Sequence, residues 1–535
     1  MSTDEKSLEQ VLWDSANVMR QTMGAADYMN YALGLIFYKH LSDKTLEAAA
    51  NALVDAGEVE AQDVATEEAR QAVYKKYYDA EEFHEDLLET MNMDYEIKPD
   101  FTFAALMDSI RKQTFQLENL NQAFRDIEQS NPDLLGHLFD DVDLYSTKLG
   151  STPQKRNDMI AQVMTALAPL NLDSHSGDVL GDAYEYLIGT FASDMGQKAG
   201  EFYTPQSVSQ LLTHIVTWGQ EAKKGFSAYD PAMGSGSLLL NVRHYIQDVD
   251  SIAYYGQEIK TSTYNLARMN MIIHGIAATN QHLRNADTLD RDWPSDEVTN
   301  FDGVMMNPPY SQHWSADKGF ESDPRFSDYG VLAPKSKADY AFLLHGLYHL
   351  KDTGTMGIVL PHGVLFRGGA EGKIRQKLLE KGYIYGVIGL PAGIFYSTGI
   401  PTIIMVLKKA RPGRDVLFID GSQEFEKGKA KNTLTQANIQ KLFQAYVDRK
   451  DVDKFAHVAS FEEIQENDFN LNIPRYVDTS EPEPEIDLGE VNREMADTNT
   501  QIQAAEKELA DMMEELSTDD PQKAKDLQDL LHLFQ

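Results

Sequence analysis

The sequence predicts an α/β protein in which a doubly wound sheet domain follows a helical domain and precedes a helical, coiled-coil-like tail. Three patterns predict this. Apolar residues recur at helical spacing before Leu144, short strands alternate with helices beyond Gly225, and a heptad-like run follows an acidic, proline-rich spacer. At 535 residues the chain is too long for one ordinary core, so two or three domains are expected.

In the first part, Leu8, Val11, Leu12, Val18 and Met19, then Met29, Leu33, Ile36, Phe37 and Leu41, repeat three and four apart. Gly150, Pro153 and a local basic cluster mark 146–157 as a hinge, which places the helical domain at 1–155. Strands are expected at 227–230, 252–258, 303–306, 357–361, 385–390, 402–407 and 416–420, within an α/β domain at 156–476. The segment 393–400 is positioned to turn a hairpin at the sheet edge. Beyond it, Glu481-Pro482-Glu483-Pro484-Glu485 reads as an extended spacer. Leu488, Val491, Met495, Thr498, Ile502, Ala505, Leu509, Met512 and Leu516 then alternate three and four apart. That seam calls for a partner helix, or for the protein's own surface; 477–535 is read as a linker and helix for subunit association.

Composition narrows the function. With 48 basic against 84 acidic residues the formal charge is −36, which repels a phosphate backbone over most of the surface. The absence of cysteine removes disulfides and thiolate zinc sites. The N-terminus is polar, unlike a signal peptide, and the longest apolar runs fall far short of the roughly 18 residues that suggest a membrane span. A soluble, cytoplasmic protein is expected.

Asp230-Pro231-Ala232-Met233-Gly234-Ser235-Gly236-Ser237 follows the first strand and leads into an apolar helix expected over 238–245. Glycines at such a turn let a ligand approach the backbone, beside free amides at the helix start. Many α/β proteins carry a glycine-rich turn for packing alone, so the neighbours decide. Glu258 ends the next strand, where an acid can accept hydrogen bonds from ribose hydroxyls, and Asp287 falls where the third strand should end, within reach of an adenine amino group. Singly each reads as a solvated acid; in this order they describe an adenosine pocket. No P-loop lysine is present, and Asp230 suits a cationic sulfonium nucleoside better than a triphosphate. Glu201-Phe202-Tyr203-Thr204-Pro205-Gln206 precedes a helix starting near Ser207. Thr204 and Pro205 fit plain helix initiation, or a lid over the methionine end of S-adenosylmethionine.

The expected strand ending at Met306 delivers Asn307-Pro308-Pro309-Tyr310 to the carboxyl edge of the sheet, where ligands bind in such folds. An exocyclic adenine amine is a poor nucleophile because its lone pair is delocalised into the ring. Acceptors for both of its hydrogens, the Asn307 side-chain oxygen and the Pro308 carbonyl, favour a pyramidal nitrogen that can attack a methyl group. The prolines hold that carbonyl rigidly, and Tyr310 offers a ring to stack on a base taken out of the duplex. His345 and His349 stand at metal-ligand spacing, but no motif glutamate or cysteine accompanies them, so they read as part of a helix covering the sheet.

The ordered set resembles the modification (methyltransferase) subunits of Type I restriction-modification systems, within the N6-adenine DNA methyltransferases. The resemblance rests on residues 31–43, Glu201 to Gln206, Asp230 to Ser237, Gly256-Gln257-Glu258, Asn307 to Tyr310, Asp339-Tyr340-Ala341-Phe342, residues 360–366 and Asn472-Ile473-Pro474-Arg475-Tyr476. Met233 departs mildly from the small residue usual in the family before the glycine. The resemblance implies that the cofactor contacts fall on Glu201 through Gln206, Ser235, Gly236, Ser237 and Glu258. It also implies a separate specificity subunit that selects the target in double-stranded DNA, two modification subunits for each specificity subunit, and motor-nuclease subunits completing the restriction enzyme. Competing readings are a glutamine-amide methyltransferase of release factors, a ribosomal RNA guanine methyltransferase, for which a basic surface is expected, and a non-catalytic scaffold.

Overall fold

A helix can bury every one of thirteen consecutive residues only if neighbours cover all its sides, and residues 31–43 are buried without interruption. They lie in the helix Ala25–Asp55, at the centre of a helical layer. In the computed structural model, residues 13, 18–20, 23–170, 177–195, 203–290, 300–395, 399–428, 431–479 and 487–534 are described. Leu8, Val11, Leu12, Glu201, Phe202 and the spacer 481–485 lie outside them.

Several buried polar residues of the central helix are paired. Lys39 Nζ meets Asp43 Oδ2 at 2.6 Å, and Ser42 Oγ accepts the Phe103 amide at 2.7 Å. Helices Leu117–Ser130, Pro153–Leu167 and Gly177–Met195 contribute to this core, and so does Thr261–Ile273 from the sheet domain. Arg268 on the last of these donates to the carbonyls of Gly136 and Leu134, fastening sheet domain to helical layer. The expected hinge is partly helical: Thr152 caps the helix Pro153–Leu167, so a boundary at 155 falls inside its first turn.

The sheet strands are β1 (Ser227–Asp230), β2 (Ala253–Glu258), β3 (Gln281–Asn285), β4 (Phe301–Met306), β5 (Leu350–Pro361), β6 (Ile384–Gly389), β7 (Thr402–Leu407), β8 (Val416–Asp420) and β9 (Ala456–Ala459). Their spatial order is β9-β8-β6-β7-β5-β4-β1-β2-β3. Strands β3, β2, β1, β4 and β5 run parallel, while β7 is antiparallel to both β5 and β6. Strands β6 and β7 pair antiparallel, as the expected hairpin requires, but its placement at the sheet edge is corrected. β7 inserts between β5 and β6, where all six of its residues are buried, and the edges fall at β3 and β9. An edge strand tolerates the charged residues that Thr402–Leu407 lacks. Strand β9, four residues long, carries too little pattern to be seen in the sequence.

Both faces of the sheet are covered. Val304 and Met306 face one core with Tyr340 and Leu344, whereas Met305 faces the other with Leu211, Leu212 and Ile215. At the amino end of β4, Asp302 ties the two central strands together: its Oδ2 accepts the Ser227 amide at 3.1 Å and the Ser227 hydroxyl at 2.9 Å. Lys351 reaches the same oxygen at 3.0 Å, and Lys223 binds Oδ1.

The chain divides into two compact units, Met1–Asp478 and Thr479–Gln535. In the second, Asp487 caps a 27-residue helix, Leu488–Glu514, and Asp520 caps Pro521–Leu531. Leu488, Met495, Ile502, Leu509, Met512 and Leu516 are all exposed, so the apolar seam is uncovered. Among the described residues no helix is long and apolar enough to cross a membrane.

Replacing Asp302 tests the tie between β1 and β4. Both lysines are about a third exposed, at 37 % and 36 %, and can turn to water, but the Ser227 amide cannot. Asp302→Ala should therefore cost about 1–3 kcal/mol, the penalty for orphaned buried donors, rather than the larger loss of a fully buried ion pair. Chemical denaturation measures it.

Candidate active site

The turn after β1 is shaped by two glycines in the left-handed region, Gly234 at φ 54° and Gly236 at φ 81°. Gly236 also packs closely: a Cβ there would lie 3.4 Å from Met271 Cε. The helix expected over 238–245 is shorter, a single α turn, Ser237–Leu240, continued by the 3₁₀ turn Asn241–His244. Asp230 is 1 % exposed, and its Oδ1 accepts the Ala232 amide at 2.9 Å. Burial pushes its carboxyl up to about 8, assisted by the charge of Glu258.

Glu258, at the end of β2, is oriented from below. Its Oε2 accepts the Gly234 amide at 3.2 Å and its Oε1 the Lys260 amide at 2.8 Å. Each carboxylate oxygen keeps a further acceptor site. Burial raises this carboxyl too. Asp287 follows β3 and accepts the Leu289 amide on Oδ1 at 3.0 Å.

A cavity of about 1030 Å³ is lined by Glu258, Asp287, Asn307, Pro309 and Tyr310, together with Gln257 and Arg367. A smaller cleft is lined by Tyr203, Thr204, Asp230, Gly234, Ser235, Ser237 and Asn307. Asn307 belongs to both and marks their junction. Pro308 is buried behind the motif. Pro205 and Gln206 are not brought into either space; they line a separate cavity, where Gln206 Oε1 accepts the Asn241 amide nitrogen at 2.9 Å.

The Asn307 side chain is held at both ends. Its Nδ2 donates to Thr204 Oγ1 at 3.1 Å, and the Tyr310 hydroxyl donates to its Oδ1 at 2.7 Å. Thr204 therefore does not act as a helix cap. The helix Gln206–Thr217 begins behind Pro205 without a side-chain cap, and the threonine hydroxyl orients the amide instead. The Tyr310 ring meets Phe395 edge-on at 6.1 Å, and burial pushes its hydroxyl well above the usual phenol value. After it the chain turns sharply at Ser311, φ 51°, whose amide donates to Asp339 Oδ1 at 2.8 Å.

The arrangement has the chemistry to accept a cationic nucleoside beside a planar amine, and known proteins show which family it belongs to. Residues 175–485 match the N-6 DNA Methylase family model, and residues 8–167 match the HsdM N-terminal domain. The chain belongs to the N-6 DNA methylase family. It is 35 % identical to the Type I restriction enzyme MpnII methylase subunit of Mycoplasma pneumoniae, over 96 % of each chain. The crystal structure of a type I restriction-modification methyltransferase subunit from Streptococcus thermophilus is 59 % identical, covers 88 % of this chain and 99 % of its own, and superposes with a TM-score of 0.84. A modification subunit from Vibrio vulnificus shares the fold at 18 % identity, with a TM-score of 0.59 and coverage of 90 % of this chain and 99 % of that one. The protein is accordingly an S-adenosylmethionine-dependent, adenine-N6-specific DNA methyltransferase, and the glutamine-amide alternative is not favoured.

Three residues of this N-6 DNA methylase escaped sequence reasoning. Glu185, in the helix Gly177–Met195, is 4 % exposed and accepts a hydrogen bond from Asn270. Asn270 also donates to the Ser235 carbonyl at 3.0 Å, so this pair buttresses the glycine turn from behind. Burial pushes Glu185 up to about 7. Glu185 and Asn270 stand 85 residues apart, a distance across which no local pattern speaks. Asp339, which fixes the exit from Tyr310, lies within a segment that resembles the family but carries no mark of its role.

The residues fit a cofactor bearing positive charge. A cation beside Asp230 favours the ionised carboxylate, so binding below about pH 8 must release a proton, and affinity must rise as the pH rises toward that value. Calorimetry near pH 7 in buffers of different ionisation enthalpy should register proton release on binding S-adenosylmethionine. Asp230→Asn should diminish it, leaving any share from Glu185. Affinity independent of pH between about 6 and 8 would contradict the assignment.

Proposed function

We propose that this chain is the modifying subunit of a Type I restriction-modification complex in the cytoplasm. It methylates N6 of an adenine flipped from double-stranded DNA, at a site chosen by a separate specificity subunit. Two such chains join one specificity subunit, and motor-nuclease subunits complete the restriction enzyme. The observation that carries the chemical part is the Asn307 amide at the junction of the two cavities, with its nitrogen engaged by Thr204 and its oxygen by the Tyr310 hydroxyl.

In this reading the smaller cleft, with Tyr203, Thr204, Asp230, Gly234, Ser235 and Ser237, takes the methionine end of the cofactor, and Gly236 shapes its turn. Glu258 meets the ribose and Asp287 the adenine amine. S-adenosylmethionine supplies an electrophilic methyl group on a sulfonium that leaves as a neutral thioether. The protein's task is alignment: Asn307 Oδ1 and the Pro308 carbonyl accept the two hydrogens of the target amine and bring its lone pair into line. The Tyr310 hydroxyl fills one acceptor position of that oxygen and leaves the other for the base. The tyrosine ring then stacks on the base, worth about 1–3 kcal/mol.

The partner assignment rests on charge and on the tail. A net charge of −36 opposes independent DNA binding, and the exposed seam of the helix Leu488–Glu514 offers a surface for a partner helix.

Asn307→Ala and Tyr310→Ala should each abolish methylation while cofactor binding largely survives, measured by methyl transfer and calorimetry in parallel. Tyr310→Phe keeps the ring, releases the Asn307 oxygen and should retain most activity. Co-expression with the specificity protein should place N6-methyladenine at a defined motif in host DNA; undiminished methyl transfer by Asn307→Ala, or full-strength site-specific binding by the chain alone, would overturn the proposal.

A further inference from the structure

A guanidinium that is 2 % exposed needs acceptors for all five of its N–H groups, and Arg325, in the loop between β4 and the helix Asp339–Tyr348, has them. Its Nε donates to Asp323 Oδ1 at 3.0 Å, and its Nη2 to Asp323 Oδ2 at 2.8 Å and to the Asp290 carbonyl at 3.1 Å. Its Nη1 donates to the Thr288 carbonyl at 3.0 Å and to His345 Nδ1 at 3.1 Å. Two of the five bonds therefore end on the backbone immediately after Asp287.

The bond to His345 fixes a second line. Arginine can only donate, so His345 Nδ1 accepts and the ring proton sits on Nε2. Nε2 then donates to the Tyr229 hydroxyl at 2.8 Å, and that hydroxyl donates to Gln257 Oε1 at 2.5 Å. Burial, with the charge of Arg325, keeps His345 neutral, as this order of donors requires. Gln257 adjoins Glu258, and its carbonyl accepts the Met233 amide of the glycine turn at 3.0 Å. Thr288 closes the circuit by donating its hydroxyl to the Pro231 carbonyl. The histidine that stood at metal-ligand spacing is thus one link in a donor chain.

We infer that Arg325 is a positioning residue for the purine end of the cofactor site, holding the Asp287 turn and the Glu258 strand in register with the loop that follows Tyr310. The inference rests on the reading in which Asp287 meets the cofactor's adenine amine. Lysine cannot replace it, because three donors on one nitrogen do not span acceptors arranged around a planar fork.

The test compares binding of S-adenosylhomocysteine with that of its 6-oxo analogue S-inosylhomocysteine by the full-length chain, together with kcat and the KM for S-adenosylmethionine of the assembled methyltransferase. Arg325→Lys should weaken S-adenosylhomocysteine binding about tenfold or more, reduce the preference over the inosyl analogue, and raise KM more than it lowers kcat. In an Asp287→Ala background it should cost little more. Asp323→Asn, a milder change that removes the guanidinium's counter-charge, should act in the same direction and serves if Arg325→Lys does not melt cooperatively. Wild-type affinity in both variants would overturn the inference. So would an equal loss for the two analogues that adds fully to Asp287→Ala, since that describes general loosening. If Asp287→Ala alone keeps the full preference for the adenosyl ligand, the purine reading of Asp287 fails, separately from the clamp.

Discussion

A carboxylate taken out of water needs a proton or a cation, and the carboxylates around the glycine turn are met by neutral groups: Asp230 by the Ala232 amide, Glu185 by Asn270. The rest of the site follows from that constraint. Burial raises both carboxyls, so in the proposed reading a ligand carrying positive charge is favoured as it takes the place of a proton. The same arrangement opposes a triphosphate, which would add negative charge beside groups that burial already discourages from ionising. Charge would thus favour the proposed cofactor before any single hydrogen bond to it is considered.

Strand β4 connects this electrostatic half to the chemical half. It is fixed at its amino end by Asp302 and delivers Asn307 at its carboxyl end, between the two spaces. Pro308 and Pro309 stiffen the exit, and Asp339 secures the left-handed turn at Ser311. The antiparallel β7, inserted beside β5, brings Thr402 to the rim of the larger cavity, so the strand that departs from parallel order also contributes to its wall.

Much of this was legible because it is local. A strand, a glycine turn and an acid at the next strand's end follow one another in the chain, and short β-branched or aromatic stretches marked where β1, β2, β4 and β7 run in the sequence. What was not legible depends on residues far apart. Thr204 had a complete local explanation as a helix cap, yet its hydroxyl is taken by Asn307, 103 residues away. Glu185, Asp339 and Arg325 look like ordinary charged residues in one dimension, and only packing turns them inward. The position of β7 was misjudged because a tight connection implies pairing with a neighbour but says nothing of what lies on its other side. The tail was legible as an apolar seam, and its Leu488, Met495, Ile502, Leu509, Met512 and Leu516 are exposed.

The hydrogen bond from Tyr310 to Asn307 has a bearing on waste. An activated methyl donor is vulnerable to any small nucleophile that reaches it, and ammonia or a free primary amine could offer hydrogens to the Asn307 oxygen as readily as a nucleobase. In the proposed reading that oxygen keeps one acceptor position beside the phenol, whose ring is packed against Phe395. A small amine would gain a hydrogen bond there and nothing from the tyrosine's face. A base would gain both the bond and the stack. Selection among acceptors would then rest on shape as much as on hydrogen bonding, and sparing the donor from idle turnover would fall to one aromatic side chain.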